Sequence, residues 1–586
     1  MNKLLKKLGI KGFILTSICI LLIVLQVYLD LELPDYMSEI TKLIQMDGST
    51  IGEILKQGGY MLMCAGGSLL SSILVGFIAS EVSSEFSYNT RKEIFNKVED
   101  FGLEEIKEFK TSSLITRTTN DITQIEMYIA MGLQALIKAP ILAFWAVSKI
   151  LNKNVTWSIL TGCCVLIIIT TVIILMIIVL PRFEKVQKLI DKINNVTMEN
   201  LLGIRVIKAF NAENYQGRRF DYLNNELTKN QLFNQRTFSV MMPVMNIVMQ
   251  MLTLGIYFLG AFMIDKANIV EKIDLFSDMV VFSSYGMQVV MAFLMLAMIF
   301  MMWPRARISA KRINEVLEKE ISLKDGAFNK ETQEHGTIEF KNVSFKYPDA
   351  DDYILQNISF KVQEGETIAF IGSTGSGKST LINLVPRFYD ATEGEILIDG
   401  VNVKDYELKT LYNKIGYVPQ KAVLFTGTVK DNVSYGDNGK EKPNFTEIKK
   451  AVEIAQGKEF IERMPEKYDS HIARGGTNVS GGQKQRISIA RAIARNPEIY
   501  IFDDSFSALD YKTDSQLRKE LKKHTKNATS MIVAQRIGTI MNADKIIVLD
   551  EGKCVGQGTH KELLKNCDVY KEIALSQLSK EELENA

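Results

Sequence analysis

Histidine and cysteine are scarce in this sequence, and the histidines are far apart. Among 586 residues there are four histidines and six cysteines, and no C-x-x-C pair is present. Zinc sites and disulfide frameworks need clusters of such residues, so this scarcity argues against both. Net charge is lacking too, because 69 Lys and Arg residues nearly balance 68 Asp and Glu residues. Without a basic excess we expect no nucleic-acid partner.

The chain has two halves of different character, and its length is too great for one domain. The first half carries long apolar runs and most of the methionines, whereas the second half alternates predicted strands and helices. Such alternation is typical of an α/β domain with a largely parallel sheet. We therefore predict a membrane α-helical domain at residues 1–303, a linker at 304–336, and an α/β domain with a C-terminal tail at 337–586.

Six apolar runs in the first half are each near the ~20 residues that cross a bilayer as a helix. They cover residues 13–29, 60–79, 132–150, 157–180, 238–264 and 279–303. Lys3, Lys6, Lys7 and Lys11 precede the first run, and the positive-inside rule places this end in the cytoplasm. Six crossings return the chain to the cytoplasm, so we expect a multi-pass membrane protein with both termini inside. The first run has no A-x-A cleavage site, which favours a retained span over a signal peptide.

The two connections expected in the cytoplasm, 81–131 and 182–237, are long and charged, and both show helical periodicity. We predict that the spans continue through them as long helices and then reverse. Two stretches, 114–122 and 199–210, mix charged with apolar residues. That mixture is what we expect of short helices docked on another domain.

A glycine-rich segment in the second half matches G-x-x-x-x-G-K-[ST], the phosphate-binding P-loop pattern. It consists of Gly372, Ser373, Thr374, Gly375, Ser376, Gly377, Lys378, Ser379 and Thr380. A predicted strand precedes the segment and a predicted helix follows it, which is the context that the motif requires. We expect its backbone amides to bind phosphate. Lys378 would neutralise the β- and γ-phosphate oxygens, and Ser379 would place its hydroxyl on Mg²⁺.

Other segments around the P-loop carry residues suited to a nucleotide. Tyr347 offers an aromatic face for adenine, and the amide of Gln420, after a predicted strand, can reach Mg²⁺ or a water. Asp503 ends an apolar strand in the Walker B pattern and would hold Mg²⁺ through water. A second anion site is predicted where glycines open a helix. Its residues are Ser480, Gly481, Gly482 and Gln483.

The Ser-Gly-Gly-Gln element, placed between the P-loop and Asp503, resembles the signature of ABC ATPases. With six N-terminal spans in one chain, almost the whole sequence resembles a half-transporter of the type IV ABC exporters, close to the multidrug exporters. The resemblance implies an ABC ATPase domain that binds ATP and Mg²⁺, and ATP-driven alternating access. It also implies a dimer with a second half-transporter, in which each ATP lies between one chain's P-loop and the other's 480–483 element. The stretches 114–122 and 199–210 resemble the coupling helices of that family.

Two positions depart from the family's pattern. Asp504 stands where the family usually has a Glu general base, and Gln535 stands where it usually has a His that contacts the γ-phosphate. We take Asp504, Gln535 and Gln420 as the catalytic candidates. The paired departures resemble the degenerate-site subunit of heterodimeric ABC exporters, which is the reading that we favour. A homodimer that exports peptide or lipid with Asp504 as base, and an ATP-dependent regulatory subunit that transports nothing, remain alternatives.

The sixth apolar run carries a row of methionines at intervals of three and four residues, which places them on one helical face. They are Met287, Met291, Met295, Met298 and Met302. Methionine is flexible and polarisable and suits varied apolar ligands. This face therefore favours a cavity wall for amphipathic drugs or lipids, although helix packing or contact with membrane lipid explains it equally well. The plasma membrane of a bacterium is the expected location.

Overall fold

The computed structural model describes residues 9–46, 48–151 and 155–578. The chain forms two compact units: a helical unit of Met1–Glu99 with Lys110–Lys319, and a sheet unit of Asp100–Phe109 with Glu320–Ala586. Two predicted features lie outside the described residues. These are the basic N-terminal group at Lys3, Lys6 and Lys7, and the end of the C-terminal tail at 579–586.

Long α-helices dominate the first part of the chain, with one π-helical turn at Arg117–Asp121. In chain order the helices are α1 (Gly9–Gln45), α2 (Ile51–Glu99), α3 (Leu103–Phe109), α4 (Thr111–Thr116), α5 (Ile122–Leu151), α6 (Val155–Leu202), α7 (Ile204–Ala209), α8 (Glu213–Ser239), α9 (Met241–Lys266) and α10 (Ile269–Leu317). All of them except α3 belong to the helical unit.

Six helical stretches in the described chain are long and apolar enough to cross a membrane, which confirms the six predicted transmembrane helices. They are Gly9–Gln45, Ile51–Glu99, Thr111–Leu151, Val155–Leu202, Glu213–Lys266 and Glu271–Leu317. At 37 to 54 residues, each is longer than the hydrocarbon requires. The last helix passes through Pro304 and ends at Leu317. Residues 304–317, which the sequence analysis gave to the linker, therefore extend the helical unit.

Two lysines inside the helical unit are paired with acidic side chains. Lys138, within the third apolar run, has its Nζ 3.1 Å from a carboxylate oxygen of Asp30, just beyond the first run. Lys149 lies 2.9 Å from Glu32 and 2.5 Å from Asp35. Ionisable groups at membrane depth are costly unless they are paired. These pairs explain how α5 carries two lysines, and they join α5 to α1.

The long connection 81–131 divides between the two units. Residues 114–122, expected to dock on another domain, form α4, the π turn and the start of α5 within the helical unit. There Ser309 of α10 donates a hydrogen bond of 2.8 Å to Asp121, so this stretch is fixed to the sixth long helix. The part of the connection that belongs to the sheet unit is α3, which the sequence analysis did not single out.

The sheet unit is an α/β domain with strands in three sheets. Its strands are β1 (Ile338–Phe345), β2 (Leu355–Val362), β3 (Thr367–Gly372), β4 (Glu393–Ile398), β5 (Val401–Asn402), β6 (Ile415–Val418), β7 (Gly427–Thr428), β8 (His471–Ile472), β9 (Ile499–Asp503), β10 (Thr529–Val533), β11 (Lys545–Asp550) and β12 (Lys553–Gly558). The largest sheet has the order β12-β11-β3-β10-β9-β6, and a second has the order β2-β1-β4-β5. A two-stranded sheet pairs β7 with β8.

Helices pack around these sheets. They are α11 (Lys378–Leu384), α12 (Leu408–Lys414), α13 (Val429–Val433), α14 (Phe445–Ile454), α15 (Lys458–Glu462), α16 (Gly481–Ala494), α17 (Tyr511–His524), α18 (Ile537–Ile540), α19 (His560–Asn566) and α20 (Asp568–Gln577). The sheet unit has two hydrophobic cores, and alternate residues of the central strands belong to one core or the other. Ile368 and Phe370 of β3 belong to one core, and Ala369 and Ile371 belong to the other. This two-sided burial explains why β3 is an unbroken apolar run.

Four neighbouring strands of the largest sheet, β3, β10, β9 and β6, run parallel to one another. In an open parallel sheet, the loops that follow the strands meet at one edge, where ligands bind. The P-loop follows β3, and the segments with Gln535, Asp504 and Gln420 follow β10, β9 and β6. The strand order therefore brings candidate site residues that are far apart in the sequence to one edge of the sheet.

Candidate nucleotide-binding site

The P-loop joins β3 to α11 and has the backbone of a phosphate cradle. Gly377 has a φ of 93°, and a Cβ there would lie 2.7 Å from Leu355 Cδ2, so only glycine fits without strain. Lys378 Nζ donates hydrogen bonds to the carbonyl oxygens of Gly372 (2.8 Å) and Ser373 (2.7 Å). These bonds hold the ammonium inside the loop, where it can contact a phosphate.

Ser379 and Asp503 form the oxygen pair expected for a magnesium ion. Ser379 Oγ donates a hydrogen bond of 2.9 Å to Asp503 Oδ1. Burial raises the pKa of Asp503, and the bond from Ser379 opposes this rise. The described residues contain no group of three or more His, Cys, Asp or Glu side chains that could hold a metal. Mg²⁺ needs no such cage, because it is commonly bound by one or two protein oxygens together with phosphates and waters. The oxygens present therefore fit the ion.

Asp504 receives two side-chain amides on the same carboxylate oxygen. Gln535 Nε2 donates to Asp504 Oδ2 over 2.8 Å, and Gln420 Nε2 donates over 3.4 Å. Burial raises the pKa of Asp504, and the Gln420 contact opposes this rise. Gln577 of α20 donates to the Gln535 backbone carbonyl (2.8 Å) and fixes the segment that carries the amide. The catalytic candidates thus form one cluster in which a neutral amide, unable to accept a proton, contacts the carboxylate.

Tyr347 lies beside the P-loop, where an adenine-binding ring is expected. Its hydroxyl is 3.1 Å from Thr380 Oγ1. The side chain of Lys107 from α3 lies over the ring, with Nζ 4.6 Å from the ring centroid. The sequence analysis missed Lys107 because no motif surrounds it and 239 intervening residues separate it from Tyr347. Only tertiary structure reveals this contact.

The second anion site is the exposed N-terminus of α16. Ser480 accepts a hydrogen bond from the Gln483 backbone (3.4 Å), and the Gln483 side chain accepts one from the Ser480 backbone (2.9 Å). This capping box leaves the first amides of the helix free for an anion. Throughout the described chain, no hydrogen bond or ion pair joins these residues to the P-loop of the same molecule. The structure thus brings together the P-loop, Asp503, Asp504, Gln420 and Gln535, but not the 480–483 element.

Comparison with known proteins places both units among transporter sequences. The family model described as "ABC transporter" matches residues 355–507, and that described as "ABC transporter transmembrane region" matches residues 16–293. An uncharacterized ABC transporter ATP-binding protein of Mycobacterium tuberculosis is 35% identical over 549 residues, which cover 92% of this chain and 93% of the relative. Another, of Bacillus subtilis, is 37% identical over 515 residues, 88% of each chain.

Some similar proteins have names that state an activity. The ATP-dependent lipid A-core flippase of Pseudomonas aeruginosa is 30% identical over 495 residues, 84% of this chain and 80% of the flippase. Among solved structures, a bacterial Atm1-family ABC exporter with ATP bound matches with a TM-score of 0.83. That match covers 97% of this chain and 98% of the exporter, at 24% identity, and is evidence of a shared fold.

Proposed function

Because the chain belongs to the ABC transporter family, we propose that it is one half of an ATP-driven exporter that moves amphipathic compounds out across the membrane by alternating access. The observation that carries this proposal is the convergence of the P-loop, Asp503, Asp504 and Gln535 at one sheet edge. The same chain has six helices of membrane-spanning length. A soluble nucleotide-binding enzyme with a membrane anchor would need only one span.

At the nucleotide site, the P-loop amides and Lys378 would hold the phosphates of ATP, and Tyr347 would face the adenine. Ser379 and Asp503 would hold Mg²⁺, with Gln420 close enough to contribute through a water. The ion would supply positive charge against the β- and γ-phosphate oxygens. Asp504 would orient the attacking water, and Gln535 would contact the γ-phosphate by hydrogen bonding.

The complete site would need a second half-transporter. The exposed α16 N-terminus, with its capping box closed on itself, has free amides and no hydrogen bond to its own P-loop among the described residues. In the proposed dimer, Ser480, Gly481, Gly482 and Gln483 would close on the ATP that is bound to the other chain. The P-loop of this chain would be covered in the same way by the partner.

We favour a heterodimer in which this chain supplies the impaired site. The support is the Asp504 cluster, where the carboxylate is one methylene shorter than Glu and is contacted by two amides. A carboxylate that must both accept these donors and orient a water is a poor general base. ATP would stay bound here through many cycles of the partner's site.

The proposed cargo is an amphipathic drug or lipid. Four of the five methionines in the row on α10 are exposed in this chain, from 36% for Met295 to 46% for Met291, and Met302 is half-buried. The row can therefore line a cavity that the partner's helices complete. A lipid substrate, suggested by the name of the flippase relative, is compatible with such a wall. The relatives described above come from bacteria, in keeping with a bacterial plasma membrane. Cytoplasmic termini complete the proposed topology.

Reconstitution into lipid vesicles tests these proposals. The chain would be purified alone and together with a second half-transporter that carries Glu and His at the two departing positions. We expect ATP-driven transport of an amphipathic dye or a fluorescent lipid only for the pair, with vanadate-trapped ADP on the partner. Transport by this chain alone would establish a homodimer instead. ATP hydrolysis by the pair without transport of dye, lipid or peptide would favour a regulatory role.

A further inference from the structure

Helix α3 places a cation on the aromatic ring that is proposed to receive adenine. Lys107 Nζ lies 4.6 Å from the ring centroid of Tyr347 and 5.5 Å from that of Tyr389. The Tyr389 side chain raises the pKa of Lys107, although burial opposes the rise, so the side chain is an ammonium at neutral pH. Contact between an ammonium and an aromatic face is attractive because the face carries negative charge density.

The Tyr347 ring itself is rigidly held. It packs edge to face with Phe345 (centroids 5.0 Å apart) and with Tyr389 (5.3 Å), and its hydroxyl contacts Thr380 in the P-loop. The ring is half-buried against the core of the second sheet. With Phe345 and Tyr389 packed against the ring, a base that stacks on the face beneath Lys107 meets that ammonium.

A nucleobase and the Lys107 ammonium cannot share that surface. A stacked base lies about 3.5 Å from the ring beneath it, which is the optimal contact distance between carbon atoms. An ammonium 4.6 Å from the centroid leaves no space for a base in between. Both groups are also attracted by the same electron-rich face.

We propose that the base of ATP displaces Lys107 from Tyr347, so that filling the nucleotide site releases one attachment of α3. This inference rests on the proposed ATP binding at the P-loop. It makes Lys107 a positioning residue that reports whether the site is occupied.

Another attachment of α3 does not involve the Tyr347 ring and would remain. Glu105 is buried, and its carboxylate accepts a hydrogen bond of 2.8 Å from the Ser322 backbone. Burial opposes ionisation, but the bonds from Ser322 outweigh it and lower the pKa of Glu105. Loss of the Lys107 contact would therefore let α3 pivot rather than detach. Only three residues separate α3 from the end of α2 at Glu99, so a pivot of α3 would act on the chain next to a helix of membrane-spanning length.

Equilibrium binding of radiolabelled ATP to the purified full-length chain tests the competition. Lys107→Met keeps the length of the side chain and removes the charge, so the variant should bind ATP about two- to fivefold more tightly, the equivalent of one exposed cation–π contact. Its affinity for inorganic triphosphate, which has no base, should not change. Lys107→Arg retains the cation and should behave as the unaltered chain does.

A matched control lies elsewhere in the sheet unit. Lys449 Nζ is 4.7 Å from the Phe445 ring centroid, so Lys449→Met removes an equivalent contact away from the site. This control should leave both affinities unchanged. The inference would be overturned if Lys107→Met bound ATP no more tightly than the unaltered chain. It would also be overturned if the variant gained affinity for inorganic triphosphate as well as for ATP.

Hydrogen exchange supplies a readout that a purely structural lysine would not affect. In the unaltered chain, ATP should speed exchange in the α3 peptide, whereas in Lys107→Met exchange should already be fast and insensitive to ATP. Protection of α3 by ATP in the unaltered chain would contradict displacement. If the unaltered chain binds no ATP, the proposed function fails as well. Normal ATP binding with no effect of Lys107→Met defeats only the present inference.

Discussion

The side-chain amide of Gln535 donates a 2.8 Å hydrogen bond to the carboxylate of Asp504, the candidate general base. Gln420 donates to the same oxygen over 3.4 Å. An oxygen that accepts two amide protons has less capacity left for the proton of an attacking water. This arrangement is the physical basis for proposing that the site holds ATP but hydrolyses it slowly.

Restoring the usual pair of residues should therefore restore turnover. The double variant Asp504→Glu with Gln535→His should raise hydrolysis at this site by about 10- to 100-fold, which is part of the 10²–10⁴ that a general base contributes. Vanadate trapping of ADP on this chain measures the gain. The control Asp504→Asn with Gln535→His has no base and should stay inactive. Equal trapping on both chains before any substitution would contradict a degenerate site.

The P-loop lysine should control affinity. Lys378→Ala removes the ammonium that the loop carbonyls hold in place, so the charge facing the phosphates is lost. Charge-assisted hydrogen bonds contribute about 1.5–3 kcal/mol, so ATP should bind about 10- to 150-fold more weakly. Photolabelling with azido-ATP measures this. Lys553→Ala, at the exposed start of β12, is the control and should label normally. Undiminished labelling of Lys378→Ala would exclude this P-loop as the site.

The α16 N-terminus should act on the partner's nucleotide. A Cβ at Gly481 meets nothing within 4 Å in this chain, so Gly481→Ala should fold normally and should clash only with a nucleotide brought by the partner. We expect ATPase activity of the assembled pair to fall about 10²-fold, as when one key donor to a transition state is lost. Photolabelling of this chain should be unaffected. Gly217→Ala, at another open position, is the control, and near-normal turnover of Gly481→Ala would refute closure by the partner.

The methionine row should determine selectivity. Met291→Ala and Met295→Ala remove exposed side chains of α10, so they should change the ratio of dye to lipid transport by about tenfold, the scale of a lost apolar contact. Basal ATPase activity should be retained. Met245→Ala is the contrasting variant, because that side chain is 4% exposed and its loss should cost about 2–5 kcal/mol of stability. If transport of every compound and basal ATPase activity fall together, the methionine row contributes to helix packing and does not determine selectivity.

A buried ion cluster should stabilise the sheet unit. Lys414 Nζ lies 2.8 Å from Asp399 and 2.7 Å from Glu498, with the Asp399 side chain fully buried. Lys414→Met leaves these carboxylates without their cation, which should cost about 3–5 kcal/mol and lower the calorimetric unfolding temperature. Lys458→Met breaks a pair with Glu453 that is about half exposed, so it should leave the unfolding temperature nearly unchanged. If both variants lowered the unfolding temperature equally, burial would not explain the stability that the Lys414 cluster contributes.

Much of the architecture follows from local sequence. Six apolar runs predict six membrane helices because an uninterrupted apolar segment of about 20 residues matches the bilayer core. The alternation of strands and helices predicts the α/β domain, and the structure confirms both predictions. The P-loop is also predictable from local sequence, because its glycines, Lys378 and Ser379 belong to one short segment. Its nucleotide-binding role remains a prediction, although the phosphate cradle that it requires is present.

Other features were decided only by tertiary structure. The strand order β3-β10-β9-β6 brings Gln420 and Gln535 to Asp504, because residues after neighbouring parallel strands meet whatever their separation along the chain. Lys138 needs Asp30 from another helix, and Lys107 reaches Tyr347 although no motif marks either residue. Apolar periodicity and glycine spacing determine whether a segment forms a helix, a strand or a loop, because they act through residues that are close together along the chain. Which side chains meet depends on how the segments pack, so the candidate base with its two amides and the cation on the Tyr347 ring emerge only in the folded molecule.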